Sequence, residues 1–297
     1  MRARTIGVAI ATAFSLAAVA GGVGAASGTL TPPVGAQAAE VNLAGVKGTV
    51  RHGDGWAIPL RARQPSWYSK ALSSRVDAAN GRPVAAPPQA PLPGEIGIRP
   101  GSWMVEPFMC TMNFVFRTSG SFAIGTAGHC TRRVGQEVVL LTLAPGGANP
   151  VLVEVGRVLA RQNGGIGNDF ALVSVRPQLN SWVDPTIAVV GGPCGTYKGA
   201  GPETVAHYGH GAVIGTGGTP RAGVALRFTK TAFGWIGAGI FGDSGSPVRV
   251  TDLAAAGNLT HLVVDARWLP NVITGTRIGR ILAIADGWSL ANSSLCL

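Results

Sequence analysis

From Gly101 onward the chain alternates short apolar runs with clusters of Gly, Pro, Asn and Asp. The runs CTMNFVFR (110–117), SFAIGTA (121–127), EVVLLTL (137–143), VLVEVGRVLA (151–160), DFALVSV (169–175), TIAVVGG (186–192), GVALRFT (223–229), SPVRVT (246–251) and HLVVDARW (261–268) have strand length and are rich in β-branched and aromatic residues. They stop at turn formers, which predicts β-strands in a sandwich or barrel. The stretch TRIGRILAIADGW (276–288) differs, because Ile278, Ile281, Leu282 and Ala285 recur at helical intervals and predict a short helix packed on the body. No internal repeat is visible.

The segment from Ala39 to about Arg99 lacks such a pattern and ends in RPVAAPPQAPLPGEIGIRPG (82–101). Its prolines favour extended, poorly packing backbone, so residues 39–100 read as a pro-segment or a linker. Before it, MRAR precedes the apolar run TIGVAIATAFSLAAVAGGVGA, the order of a secretory signal. The signal is placed at 1–38, with cleavage after Ala38, and with an earlier alternative after Ala25. An uncleaved anchor is disfavoured, since Gly interrupts the run and no stop-transfer charges follow. A folded domain is left for 101–297, split into halves of about 101–185 and 186–297.

Composition sharpens this picture. With 46% apolar residues in 297 the chain can bury a large core, and 44 Gly with only 13% charged residues favour β-structure with tight turns. The formal charge of +10 is spread over scattered Arg and Lys with no aromatic interleaving, so a nucleic-acid partner is not expected. Cys110, Cys130, Cys194 and Cys296 form an even set without any C-x-x-C pair, which argues for two disulfides in an exported protein over a zinc site.

Three segments carry chemistry. TAGHC (126–130) places His129 directly after a strand, where Cys130 can staple the loop to Cys110, a closure worth about 3 kcal/mol. GNDFALV places Asp169 at the start of a strand. FGDSGSPV places Ser244 in a turn dictated by Gly242, Gly245 and Pro247, in which the N–H groups of Gly242 and Ser244 can converge on one point. A hydroxyl, an imidazole, a carboxylate and two amide donors are the parts that acyl transfer by serine requires.

Together TAGHC, NDFALV and GDSGSPV, in the order His, Asp, Ser, resemble the chymotrypsin-like serine proteases, and within them the exported bacterial branch of streptogrisins and α-lytic protease. The resemblance runs from about Trp103 to the C-terminus. It implies an all-β fold of two perpendicular six-stranded barrels with a short C-terminal helix, and His129, Asp169 and Ser244 as catalytic residues in the cleft between the barrels. It further implies an oxyanion hole from the N–H groups of Gly242 and Ser244, and a buried Asp243 that needs a cationic or N–H partner. Two departures stand out: Ser246 occupies a position where Gly is usual, and no Ile-Val-Gly-Gly segment is present, so an internal Arg is the expected partner of Asp243.

The resemblance also places the floor of the primary pocket near Ala238, where no Asp stands to bind a basic side chain. Gly237, Ala238 and Gly239 on one side, and the strand from His261 to Asp265 on the other, would accept an apolar side chain, whereas Asp265 within the pocket would change that preference. Cys194 and Cys296 are the natural second disulfide. His207 and His210 lack a third ligand at metal spacing and read as loop or surface histidines. The expectation is a secreted, monomeric endopeptidase acting on protein or peptide substrates, with no cofactor, no metal, no nucleic-acid partner and no membrane span after signal cleavage. The alternatives are a catalytically silent binding module of the same fold and a serine esterase, whose motif order is reversed.

Overall fold

The computed structural model describes residues 48–52, 55–211, 218–265 and 268–296, so the segment read as a signal lies outside the described residues. In chain order the elements are β1 (Val50–His52), β2 (Gly55–Pro59), α1 (Lys70–Ala79), β3 (Val84–Ala85), β4 (Trp103–Glu106), β5 (Cys110–Thr111), β6 (Val115–Thr118), β7 (Ser121–Thr126), β8 (Glu137–Leu143), β9 (Pro150–Asn163), β10 (Asp169–Ser174), β11 (Glu203–Gly209), β12 (Thr219–Phe228), β13 (Ala232–Gly237), β14 (Pro247–Val250), β15 (Ala255–Asp265), β16 (Trp268–Arg277), α2 (Ile278–Ile284) and β17 (Ser289–Leu290). The expected mostly-β fold with a short C-terminal helix is what forms. No helix among the described residues is long and apolar enough to cross a membrane.

Two sheets carry the fold, every pairing between named strands being antiparallel. The first has the order β17-β6-β7-β10-β9-β8-β4-β5, with β3 on β9. Because β5 runs on into β6, pairing with β4 at one end and reaching Gly125 of β7 through Asn113 and Phe114, the sheet curls back on itself. The second closes completely: β15-β14-β11-β12-β13-β16 returns to β15. Alternation along the strands fills each interior, with Met104, Ile124, Leu140, Val153 and Val173 in the first and Val205, Trp235, Val248, Leu259 and Ile273 in the second. Each such side chain contributes about 1.5–3 kcal/mol by leaving water.

Three expectations are corrected. The run 186–192 is a connecting turn: Ile187 donates to Gly192 O within the turn and Ala188 donates to Pro100 O, so Ile187 and Ala188 are buried as a plug and not as a strand. The run 261–268 is divided between β15 and β16, since Asp265 already pairs with Trp268 across the hairpin. The stretch read as poorly packing is, over its described residues from Gly55, fastened to both sheets. β2 pairs with β15 and β3 with β9, while Leu72 and Val76 of α1, and Tyr68 just before it, pack on Trp103, Val105 and Met109. Pro59 ends β2 and the remaining prolines of the stretch lie outside the attached strands and helix, which is why a proline count misread it.

Candidate active site

β7 ends at Thr126 and the chain turns through a short 3-10 segment, Gly128–Cys130, that carries His129. Cys130 of this loop is bonded to Cys110, and Arg161 Nε donates to Gly128 O at 3.0 Å and Thr131 O at 3.2 Å. Cys194 and Cys296 form the second disulfide. Asp169 opens β10 and is fully buried; its Oδ1 accepts the His129 backbone N–H at 2.9 Å, and its Oδ2 lies 2.5 Å from His129 Nδ1. The backbone of Asp169 is fixed from the other sheet, its N–H donating to Thr276 Oγ1 at 3.0 Å and its carbonyl accepting from Asn258 Nδ2 at 3.1 Å.

Ser244 sits in the turn between β13 and β14. Gly242 and Gly245 have φ of 108° and 95°, in the left-handed region, and a Cβ on Gly245 would lie 1.9 Å from Thr111 O. The Asp243 carboxylate beneath the turn accepts from Arg221 Nη1 at 2.6 Å and from the Ile240 N–H at 2.8 Å, which supplies the internal arginine and the N–H partner. The buried Ser246 hydroxyl is accommodated by a glycine opposite: a Cβ on Gly209 would approach its Oγ to 2.2 Å.

These elements bring His129, Asp169 and Ser244 into one row, with Ser244 Oγ 2.7 Å from His129 Nε2 and 3.0 Å from Thr260 O. Burial alone would raise the Asp169 carboxyl, but the charge and hydrogen bonds of His129 outweigh it and hold the group below its ordinary value. An ionised Asp169 fixes the proton of His129 on Nδ1 and leaves the Nε2 lone pair facing Ser244. His261 lies against the same pair, its Nδ1 3.7 Å from Asp169 Oδ2 and its ring centroid 5.3 Å from that of His129. Desolvation lowers His261 to about 4 against the pull of Asp169, so it stays neutral at pH 7. Among the described residues His129, Asp169 and His261 also form the one group of metal-type donors, within 4.8 Å of one another, and they are the residues already hydrogen-bonded in this site.

The N–H groups of Gly242 and Ser244 do converge on one oxygen, the carbonyl of Leu60, at 2.6 Å and 3.2 Å. The Leu60 side chain is buried among apolar neighbours: a Cβ on Gly239 would lie 3.4 Å from Leu60 Cδ1 and 2.9 Å from Ile273 Cδ1. Ala238, beside Gly239, uses its carbonyl to accept from His207 Nε2 at 3.0 Å. The side chain of Asp265 lies outside the described residues. His207 and His210 are not surface residues: both are buried, His207 facing Trp235 edge-on and His210 stacked on Trp103 with Nε2 2.9 Å from the buried Glu95.

Arg221, Thr260, Asn258, Thr276 and Leu60 were not read from the sequence. Each reaches the site from a strand or segment remote in the chain, and none stands in a motif. The row of His129, Asp169 and Ser244 lies where the two curled sheets meet. Among solved structures the chain is similar to Thermobifida fusca Protease A (20% identity, 66% of this chain and 100% of that one, TM-score 0.46). It is also similar to a glutamic acid specific serine protease described as using a histidine triad in substrate binding (15%, 65% and 100%, 0.49) and to Cellulomonas bogoriensis chymotrypsin (19%, 66% and 97%, 0.45). No protein-family model and no curated protein matches the chain.

Proposed function

We propose that this chain is an exported serine endopeptidase that hydrolyses peptide bonds through an acyl-enzyme on Ser244 and prefers an apolar residue before the cleaved bond. One observation carries the reading: Ser244 Oγ lies 2.7 Å from His129 Nε2, while the N–H groups of Gly242 and Ser244 meet a single carbonyl oxygen at 2.6 Å and 3.2 Å. A nucleophile, its base and two donors aimed at one oxygen are what a tetrahedral oxyanion needs.

In this reading Ser244 attacks the carbonyl carbon and its proton passes to His129 Nε2. Asp169 keeps the imidazole in the Nδ1–H tautomer and stabilises the cation that forms, without taking the proton. The oxyanion rests on Gly242 and Ser244, His129 gives its proton to the departing amine, and a water then releases the acyl group by the reverse sequence. The apolar surroundings of Leu60 support the preference, and the two disulfides agree with an oxidising, extracellular setting.

A fluorophosphonate probe tests the assignment. The wild-type protein is expected to be labelled at Ser244, and Ser244→Ala is expected to lose the label. Labelling that survives in Ser244→Ala removes Ser244 as the nucleophile.

A further inference from the structure

The carbonyl held by the two turn amides comes from this chain's own N-terminal region, and the whole course of that region bears on what it does there. β2 lies antiparallel on the second half of β15, from Val264 against Trp56 to His261 against Pro59. One residue further, the Leu60 N–H donates to Thr260 O at 3.1 Å, while its carbonyl enters the amide pair. Beyond the next peptide bond the chain is caught again, Ala62 and Met109 exchanging hydrogen bonds of 2.9 Å and 3.1 Å. Arg61 between them donates from Nη1 to the carbonyl of His129 at 2.5 Å and lays its guanidinium over Phe108.

An extended segment is thus gripped on both sides of one peptide bond, and that bond is the one whose carbonyl lies beside Ser244. The preceding side chain fills an apolar pocket. Resting on the peptidase reading and naming its substrate, the geometry points to the Leu60–Arg61 bond as a self-cleavage site, held in its own active site as a bound peptide. Ser244 Oγ adds to the Leu60 carbonyl carbon, the C–N bond to Arg61 breaks, and His129 delivers the proton to the Arg61 nitrogen. One water hydrolyses the Leu60 ester and restores Ser244, leaving a carboxylate at Leu60 and an amine at Arg61.

Two consequences follow from the same contacts. The boundary between removable and retained chain falls at 60/61 and not near 100, because α1 and β3 downstream of it stay packed on the first sheet. Substrates supplied from outside take the same path, as extended peptides with Leu or a similar aliphatic residue before the cleaved bond, antiparallel to β15.

The test follows the full chain and Ser244→Ala by intact mass and N-terminal sequencing, with fluorophosphonate labelling in parallel. Expected is a wild-type product that begins at Arg61, carries the label and accumulates at a rate independent of protein concentration, while Ser244→Ala keeps the bond. Labelled protein with Leu60–Arg61 intact, or cut elsewhere, overturns self-cleavage and leaves the peptidase reading standing. An Arg61 terminus in Ser244→Ala as well assigns the cut to another peptidase and also overturns it. A protein that neither labels nor cleaves any peptide overturns both. The processed enzyme should also cut the peptide Ala-Ile-Pro-Leu-Arg-Ala between Leu and Arg. With Asp in place of Leu, kcat/KM should fall on the order of a hundredfold, a charge being excluded from an apolar pocket. Equal rates for the two peptides overturn the pocket assignment.

Discussion

Arg221 is the residue whose removal most directly tests how the Ser244 turn is held. The Asp243 carboxylate beneath that turn is fully buried, and its Oδ2 has two donors, Arg221 Nη1 at 2.6 Å and the Ile240 N–H at 2.8 Å. Arg221→Met keeps much of the side-chain volume but leaves the carboxylate with one neutral donor in a dry site. Breaking a buried pair from one side costs about 3–5 kcal/mol, and because the Ile240 N–H remains, the expected loss is about 3 kcal/mol. The turn shares this anchor, so the amides of Gly242 and Ser244 lose their alignment along with the stability.

Urea unfolding followed by tryptophan fluorescence measures the first effect, in a Ser244→Ala background that prevents self-digestion. Adding Asp243→Asn to Arg221→Met removes the stranded charge while keeping an acceptor for the Ile240 N–H, and should recover most of the loss. That coupling is the signature of a charge pair as opposed to simple packing. A single variant that loses under about 1 kcal/mol, or a double variant no better than the single, would refute the reasoning.

Two further expectations have their own measurements. His261 is depressed from 6.5 to about 4, so between those values the unfolded chain binds a proton that the folded chain does not, and stability falls as pH falls through that window. The full loss is about 3 kcal/mol, and about 2 kcal/mol of it should appear on going from pH 7.5 to pH 5, missing in His261→Leu; parallel slopes for the two proteins would count against it. Replacing the Cys110–Cys130 pair by Ala, which opens a loop with separation 20, should cost about 3 kcal/mol and also lower kcat, because the pair anchors the His129 loop. Replacing Cys194–Cys296, with separation 102, should cost about 4.7 kcal/mol and leave kcat unchanged, and a fall in kcat in this second variant would contradict the separation of roles.

What could be read along the chain and what could not divide on a physical line. His129, Asp169 and Ser244 were legible because each needs a local device that glycine, a strand end or a tight turn writes into neighbouring positions, as Gly242 and Gly245 do around Ser244. Strands such as 137–143 and 169–175 were legible because one burial pattern persists along their length. Arg221, Asn258 and Thr276 act only through the closure of the second barrel and its contact with Asp169, a relation between distant strands that leaves no local mark. His207 and His210 misled for the same reason, since their burial depends on Trp235, Trp103 and Glu95 arriving from elsewhere.

The N-terminal region shows the limit most sharply. Pro59 in GWAIPL argues against a strand if only the chain is considered, because proline lacks an N–H. In the fold, β1 pairs with β2 only up to Ala57 and β15 lies on the other edge, so Pro59 ends β2 beyond the last pair that β1 makes among the described residues. The proline is therefore compatible with pairing and also favours the extended backbone that brings Leu60 to Ser244. A residue that punctuates a free chain here helps bring one particular carbonyl, that of Leu60, to the amides of Gly242 and Ser244, and that difference arises wholly from the surface on which the segment lies.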